Sequence, residues 1–313
     1  MSKHFLKTIA SLSIAAASVQ GINVVVNDLA TRKKLNEQRV GAYFPWKYGD
    51  IFYTENGQGN PVLLIHDLHP DNSSIEWSKI IPLMKDSAKV FAFDLLGCGN
   101  SDKPNITYTN YMYVQLIENF IKNVIKEKTN IVVTGDSVPF AIMAKKTSPE
   151  LIGKIIAINP TDLRKQVKLP NKNSKLAADF LGLPVAGPFI YNVINRKDET
   201  DFLFNRKYFY NKELVTDELK DYYYESAHYK NSQGRFLLAS IAGRYTNLDI
   251  RKTLKETKDF IILASRNRAQ STFITNEYIK INPKVEVSYL SGTKLLPQLE
   301  TPDKTFNRIM RYL

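Results

Sequence analysis

Short apolar runs that alternate with helical segments constrain the fold of this chain most strongly. Val62–Ile65, Val90–Phe93, Ile131–Val133 and Ile155–Ile158 are each bounded by turn residues, which is typical of strands buried on both faces. Between them lie segments with apolar residues at helical spacing, of which Tyr111–Ile125 is the clearest. This alternation of strand and helix predicts an α/β fold with a mostly parallel central sheet.

The alternation stops after Ile158. No buried apolar run occurs from Thr161 to about Lys258, and this stretch has a helical pattern rich in lysine and aromatic residues. A structured insertion of this length is typical of a lid over a binding site. The strand pattern returns afterwards, so the sequence predicts four parts: residues 1–39, an N-terminal apolar segment and basic linker; 40–160, the first part of the core; 161–258, a helical lid; and 259–313, the second part of the core.

The first part of the chain contains an uncharged stretch, Ile9–Val26, followed by the basic cluster Arg32–Lys34. Three interpretations stay open: a signal peptide cleaved near Ala15–Ala17, a membrane anchor, or an apolar helix that lies on a membrane or packs on the domain. We favour the anchor, because apolar residues continue past the alanines to Val26. The basic cluster after the stretch then places the main domain in the cytoplasm by the positive-inside rule.

The formal net charge of +12 favours anionic partners, among them a membrane surface. No nucleic-acid-binding motif accompanies that charge, so we expect no nucleic acid partner. The single cysteine, Cys98, excludes an internal disulfide. We expect neither a cofactor nor a metal ion.

Four stretches of the chain resemble the α/β-hydrolase superfamily, from about Gly41 to the C-terminus. They are VLLIHDLHP, similar to the strand and oxyanion loop of the family; FAFDLLGCGNSDKP, similar to its Asp-Leu-x-Gly-x-Gly loop; VVTGDSVPFA, similar to its nucleophile elbow; and SGTKLLPQLETPDKTFNRIMRYL, similar to the stretch that carries its catalytic histidine. The resemblance implies the α/β-hydrolase fold, with the lid after the sixth strand.

The resemblance also places Ser137 at the nucleophile position, with Gly135 as the small residue two places before it. The backbone N–H groups of Leu68 and Val138 would then form the oxyanion hole. Pro139 departs from the small residue that the family has there. The alternative is that Ser137 merely caps the following helix.

The other two members of the catalytic triad are missing from their family positions. Arg268 stands where the acid is expected, and Leu295 stands where the histidine is expected. Neither side chain can accept a proton at ordinary pH. His69 or His228 could serve as a substitute base, and Asp162 either as a substitute acid or as a helix cap.

Two functions follow from these residues. The first is a membrane-associated protein with a degenerate triad that binds a small apolar or acyl ligand, neutral or anionic, or acts as a scaffold. The alternative is an esterase or lipase-like acyl hydrolase that uses Ser137 with His69 or His228 as its base. Since an unpaired buried charge is costly, we expect Arg268 either to pair with Asp162 or to point into the pocket toward an anionic ligand.

Overall fold

A computed structural model describes residues 3–313 of the protein, and its centre is an eight-stranded sheet. The strands are β1 (Ala42–Trp46), β2 (Gly49–Asn56), β3 (Pro61–Ile65), β4 (Lys89–Phe93), β5 (Thr129–Thr134), β6 (Ile152–Ile158), β7 (Phe260–Ser265) and β8 (Glu286–Leu290). Their order across the sheet is β1-β2-β4-β3-β5-β6-β7-β8. Only the β1–β2 and β2–β4 pairs are antiparallel, so the predicted α/β class with a mostly parallel sheet is confirmed.

Helices fill the rest of the described chain. They are α1 (Lys3–Thr31), α2 (Ile81–Met84), α3 (Asn110–Phe120), α4 (Val138–Thr147), α5 (Leu163–Gln166), α6 (Lys172–Gly182), α7 (Ala186–Ile194), α8 (Lys197–Leu203), α9 (Asp217–Ser232), α10 (Arg235–Ala242), α11 (Arg251–Glu256), α12 (Ser271–Ile281), α13 (Pro297–Glu300) and α14 (Pro302–Met310). Single helical turns of other pitch occupy Ser74–Trp77, Ile121–Ile125, Gly135–Ser137, Phe204–Tyr208 and Lys212–Leu214.

The sheet is buried on both faces, which is why its central strands read as continuous apolar runs. Leu63 and Ile65 of β3 belong to the larger core cluster, to which α3, α4 and α12 contribute. The alternate residues Val62 and Leu64 point to the other face, which is covered by α2 and α14. The sheet therefore separates two apolar layers, and its carboxyl edge is left free for a site.

The helices α5 to α11 follow β6 and precede β7, where the sequence predicts a lid. Within this group α6 packs against α7 and α10, and α8 packs against α9. The exact part boundaries at residues 39, 160 and 258 stay predictions.

The C-terminal part of α1 packs against α7 and α9 of this helical group. Asn23 donates from Nδ2 to the Val185 carbonyl at 3.3 Å, and Asn192 Nδ2 donates to Asn23 Oδ1 at 3.2 Å. Asn27 Oδ1 accepts from the Ser232 hydroxyl. The contacts of α1 with this helical group therefore continue past Val26, where the uncharged stretch ends. The side chains of residues 9–12 of the predicted anchor lie outside the described part of the structure.

Between residues 3 and 313, no single helix has both the length and the apolarity needed to cross a bilayer. The bent pair Lys172–Gly182 and Ala186–Tyr208, with 105° between its two segments, reaches that threshold jointly by length and composition.

Candidate functional site

The turn between β5 and α4 is the central feature of the site. The strand ends at Thr134, and the next residue, Gly135, has φ of +55°, a left-handed conformation that favours glycine. The chain then makes one tight helical turn, and α4 begins at Val138. In hydrolases of this type the nucleophile is carried by the strained residue between strand and helix. Here that residue is Gly135, which has no side chain.

Ser137 lies two residues further on and has a different environment. Its φ and ψ of −81° and −15° are helical, and its side chain is 0% exposed. The Ser137 hydroxyl donates to the His66 carbonyl at 2.7 Å. The N–H of Val138 donates to the Gly135 carbonyl. The structure therefore does not aim the Ser137 hydroxyl above the sheet, and the Val138 N–H is used within the turn rather than free for an oxyanion.

The carboxylate of Asp67 occupies the space above the elbow. Asp67 Oδ1 accepts the N–H of Leu68 at 2.8 Å and the N–H of Asp136 at 2.6 Å. An oxyanion hole is made from the N–H after the nucleophile and an N–H of the loop after β3, and these two groups hold those places when Gly135 is the elbow residue. A Cβ added to Gly135 would overlap the Asp67 carboxyl group. Asp67 therefore fills both the hole and the volume of a nucleophile side chain.

Burial and a neighbouring charge determine the protonation of Asp67. Loss of solvent and the charge of Asp136 raise the pKa of Asp67, the two N–H bonds and Arg268 lower it, and the net result is a pKa of about 6. Below Asp67 lies Glu76, a fully buried carboxyl group bonded to Thr134 and Gln298. Burial raises the pKa of Glu76 well above its usual range, which favours the neutral form of this carboxyl group.

His66 and Asp94 support the loops around the elbow. The His66 Nδ1–H donates to the Asp67 carbonyl at 2.7 Å, and its Nε2 accepts the Leu95 N–H at 2.9 Å. Burial lowers the His66 pKa to about 4, so the ring is neutral. Asp94 accepts from the Asn100 N–H and from Arg39, and although burial opposes ionisation, the Arg39 charge and these bonds hold its pKa at about 2. Neither residue is free to react.

Arg268 lies beside the two aspartates of the elbow. It donates from Nη1 to the Pro160 carbonyl at 3.0 Å, is half-buried, and interacts electrostatically with Asp67 and Asp136. The predicted pairing with Asp162 is wrong, because Asp162 accepts two hydrogen bonds from Arg164 and also caps α5. The other version of the prediction, in which Arg268 points into the pocket toward an anionic ligand, stays a prediction.

The remaining family position carries no proton acceptor. Leu295 is partly buried and packs in an aromatic cluster with Phe204 and Tyr208. Its N–H donates to the Tyr208 carbonyl at 3.0 Å, and its carbonyl accepts from Asn159 Nδ2. This position joins the last part of the core to the lid.

The two candidate substitute bases are not hydrogen-bonded to Ser137. His228 is buried in α9, its Nδ1 bonds to the Tyr224 carbonyl at 2.8 Å, and burial lowers its pKa. His69 is partly exposed and bonds through Nδ1 to the buried carboxylate of Asp71. Burial opposes protonation of His69, but the Asp71 charge and bond outweigh it and raise the His69 pKa.

A cavity of about 480 Å³ opens beside His69 at the border between core and lid. Val193, Ile194 and Leu203 form an apolar side, and Arg196 adds a cationic group. Among residues 3–313, no cluster of His, Cys, Asp or Glu side chains has the arrangement of a metal site. The cavity therefore offers an apolar wall and two basic side chains to a ligand, beside the carboxylates of Asp71, which is bonded to His69, and Glu199.

Sequence reasoning missed Asp67, Asp136 and Glu76. A signal for Asp67 was present, because Asp follows His66 where the family's oxyanion loop has glycine. For Asp136 and Glu76 there was no signal, since their roles depend on backbone direction and burial.

Comparison of the sequence with known proteins gives partial matches to hydrolases. No protein-family model matches the chain. A 2-hydroxy-6-oxo-6-(2'-aminophenyl)hexa-2,4-dienoic acid hydrolase of Metapseudomonas resinovorans is 38% identical over 71 residues, which cover 22% of this chain and 24% of that protein. The chain thus matches only about a quarter of that relative's length.

Solved structures match over most of the chain. The meta-cleavage product hydrolase of Pseudomonas fluorescens has a TM-score of 0.70 at 19% identity and covers 87% of this chain and 97% of its own. A bacterial membrane phospholipase A has a TM-score of 0.69 at 16% identity, covering 100% of this chain and 98% of its own. At these identities the likeness concerns the fold, and the chain has the α/β-hydrolase fold.

Proposed function

We propose that this protein is a non-hydrolytic ligand-binding protein built on the α/β-hydrolase fold and associated with a membrane. The observation that carries the proposal is the Asp67 carboxylate, which accepts both N–H groups of the oxyanion hole. An ester carbonyl needs those donors free for the charge that develops on its oxygen. A carboxylate already in that place excludes the substrate oxygen and repels its developing charge.

The expected loss of catalytic rate is large enough to predict no hydrolysis rather than slow hydrolysis. Removing one oxyanion donor costs about 10²–10³-fold in rate, and general-base assistance is worth about 10²–10⁴-fold. Here both donors are engaged, and the Ser137 hydroxyl faces a carbonyl rather than a base. These losses together offset most of what the fold gives an active hydrolase.

The ligand we propose is a small acyl or apolar molecule with an acidic group, bound in the cavity beside His69. The wall of Val193, Ile194 and Leu203 suits a hydrocarbon chain, and about 480 Å³ is within the range of small-molecule sites. His69, with its pKa raised, and Arg196 would receive the acidic group. A scaffolding role would use the same surface without a ligand.

Membrane association rests on the uncharged stretch Ile9–Val26 and the net charge of +12. The likeness to a protein named as a membrane phospholipase A over 100% of the chain supports it. We place the main domain in the cytoplasm, since the basic cluster Arg32–Lys34 follows the stretch. Fractionation of cells that express the full chain, before and after a carbonate wash, tests this part.

Labelling with a fluorophosphonate tests the loss of hydrolysis. We expect no labelling of the purified full chain and the same p-nitrophenyl butyrate turnover for wild type and Ser137→Ala. The rival acyl hydrolase predicts turnover that Ser137→Ala abolishes, with a second loss in His69→Gln or His228→Gln. That result would contradict the proposal.

Titration with decanoate as the probe tests the ligand site. We expect binding that weakens in Arg196→Gln, which removes a positive charge from the cavity, and in His69→Gln, which removes a ring whose pKa is raised. The exposed Arg311→Gln is the matched control and should bind as wild type does. Equal binding by all variants would place the ligand elsewhere.

A further inference from the structure

We infer that the hairpin of α6 and α7, together with the adjoining face of α1, inserts into the surface of a bilayer that contains anionic phospholipid. This inference rests on the proposed membrane association and names the surface that makes the contact. It adds the hairpin of α6 and α7 as a contact surface, whereas the association above rests on the uncharged N-terminal stretch and the net charge.

The hairpin presents large apolar side chains to the outside. Leu176, Phe180 and Leu183 follow helical spacing along α6 and its end, and Phe189 lies on α7. Each of the four is between 39% and 53% exposed. Scattered apolar residues are ordinary on a surface, but a group of four on two adjacent helices indicates a binding face.

The opposite sides of the same helices are apolar as well. Leu181 of α6 and Tyr191 of α7 are buried, and they pack together with Ala239 of α10. A helix that is apolar on both sides is covered on both sides in a stable protein. This composition explains why the α6–α7 region reaches the apolarity of a membrane span, while its buried side chains tie it to the lid. Shallow insertion of the hairpin into a bilayer surface agrees with both its apolar composition and its buried contacts with the rest of the chain.

Helix α1 extends the apolar face. Its Asn23 bonds to the carbonyl of Val185, in the turn between α6 and α7. Ile22 and Val25, beside Asn23, are exposed on α1. From residue 13 to residue 22 no side chain of α1 is buried. The uncharged stretch therefore leaves the fold at the hairpin turn, so a membrane that receives α1 also meets the hairpin.

Basic residues border this face and select an anionic surface. Lys172 and Lys175 stand in the first turn of α6, and both are exposed. Neither forms an ion pair with a carboxylate within the described chain. A second copy of this chain would bring the same positive charges into contact, whereas phospholipid headgroups neutralise them. The charges therefore favour a bilayer over self-association.

A fluorescent probe at the hairpin turn tests the contact in the full chain. Cys98 is buried and burial raises its pKa, so a thiol-reactive fluorophore should label only an introduced cysteine. The probe is placed by Leu183→Cys, with Phe273→Cys on α12 as the matched exposed control. In phosphatidylglycerol vesicles we expect the Leu183→Cys emission to shift to the blue and to be quenched by lipid-attached nitroxide, and the control emission to stay unchanged.

Lysine variants test the charge. In sedimentation with the same vesicles, the double variant Lys172→Gln and Lys175→Gln should bind about 30-fold more weakly, from about 1 kcal/mol for each lysine near an anionic surface. The double variant Lys122→Gln and Lys126→Gln, exposed residues after α3, is the control and should bind as wild type does.

The outcomes separate the lid from the membrane association itself. Vesicle binding without a shift at residue 183 would overturn the inference and leave the association standing. No binding by any variant would overturn both. A blue shift that appears without vesicles and grows with protein concentration would mean that a second copy covers the face, which also overturns the inference.

Discussion

Replacing Asp67 by Asn removes the charge at the elbow but keeps an oxygen in the same place. That oxygen can still accept the N–H groups of Leu68 and Asp136, so the hydrogen-bond geometry is largely preserved. The variant therefore separates the cost of a buried charge from the benefit of the two bonds. We expect Asp67→Asn to stabilise the protein at alkaline pH.

The direction of the Asp67 pKa shift determines whether the substitution raises or lowers the free energy of unfolding. Burial raises the Asp67 pKa from 3.8 to about 6, so the folded state binds the proton more tightly than the unfolded state between these values. The stability that this proton contributes is complete below about 3.8 and is lost as the pH rises through about 6. A shift of two pKa units corresponds to about 3 kcal/mol, which is an upper limit because the carboxyl group is partly exposed.

Urea unfolding in mild detergent, followed by circular dichroism, measures the effect. At about pH 8 the free energy of unfolding of Asp67→Asn should exceed that of wild type by up to about 3 kcal/mol, and the difference should fall toward zero at about pH 4. The exposed Asp86→Asn is the control and should follow the wild-type pH profile. If Asp67→Asn were less stable than wild type at pH 8, the charge would be net stabilising in the hole and the reasoning would be refuted.

Three further changes test the site and its support. Ser137→Ala should cost about 1 kcal/mol of unfolding free energy, because one buried hydrogen bond is lost, and should leave ester turnover at background. Gly135→Ser should lower the free energy of unfolding by about 1–3 kcal/mol, since the new Cβ meets the Asp67 carboxyl group. Adding Asp67→Gly should recover part of that loss in a double-mutant cycle. If the effects of the two substitutions on unfolding were strictly additive, the overlap would be contradicted. Arg39→Met should cost about 3–5 kcal/mol by leaving the buried Asp94 carboxylate unpaired, as measured by urea unfolding at pH 7, and a cost below that of Ser137→Ala would show that the pair is not structural.

The sheet could be predicted because its strands are buried on both faces. Runs such as Val62–Ile65 and Ile131–Val133 have no polar side, and only a strand between two helical layers has that pattern. The packing of α1 could not be predicted in the same way. Asn23 and Asn27 interrupt an apolar stretch, and the sequence does not show that these polar side chains meet Asn192 and Ser232 on the lid.

The residue types of the site could be predicted, but the elbow position could not. The Gly-Asp-Ser motif aligns Ser137 with a family nucleophile, whereas the backbone turns at Gly135. Pro139 gave a physical hint, because proline suits the first turn of a helix, and a helix that begins at Val138 places the strand-to-helix turn earlier. Which residue has a positive φ decides the assignment, and the motif does not contain that information.

The residues at positions 135 and 67, which differ from those of the hydrolase family, complement each other at the elbow. A glycine at residue 135 leaves space above the turn, and a carboxylate at residue 67 fills it. Arg268 then stands beside Asp67 and Asp136, where it offsets part of their charge and lowers the pKa of Asp67. A hydrolase needs an empty oxyanion hole, a nucleophile and a base, whereas a binding protein needs only a stable fold around its cavity. The Asp67 carboxylate stabilises the elbow, since it satisfies two backbone N–H groups that would otherwise be unpaired.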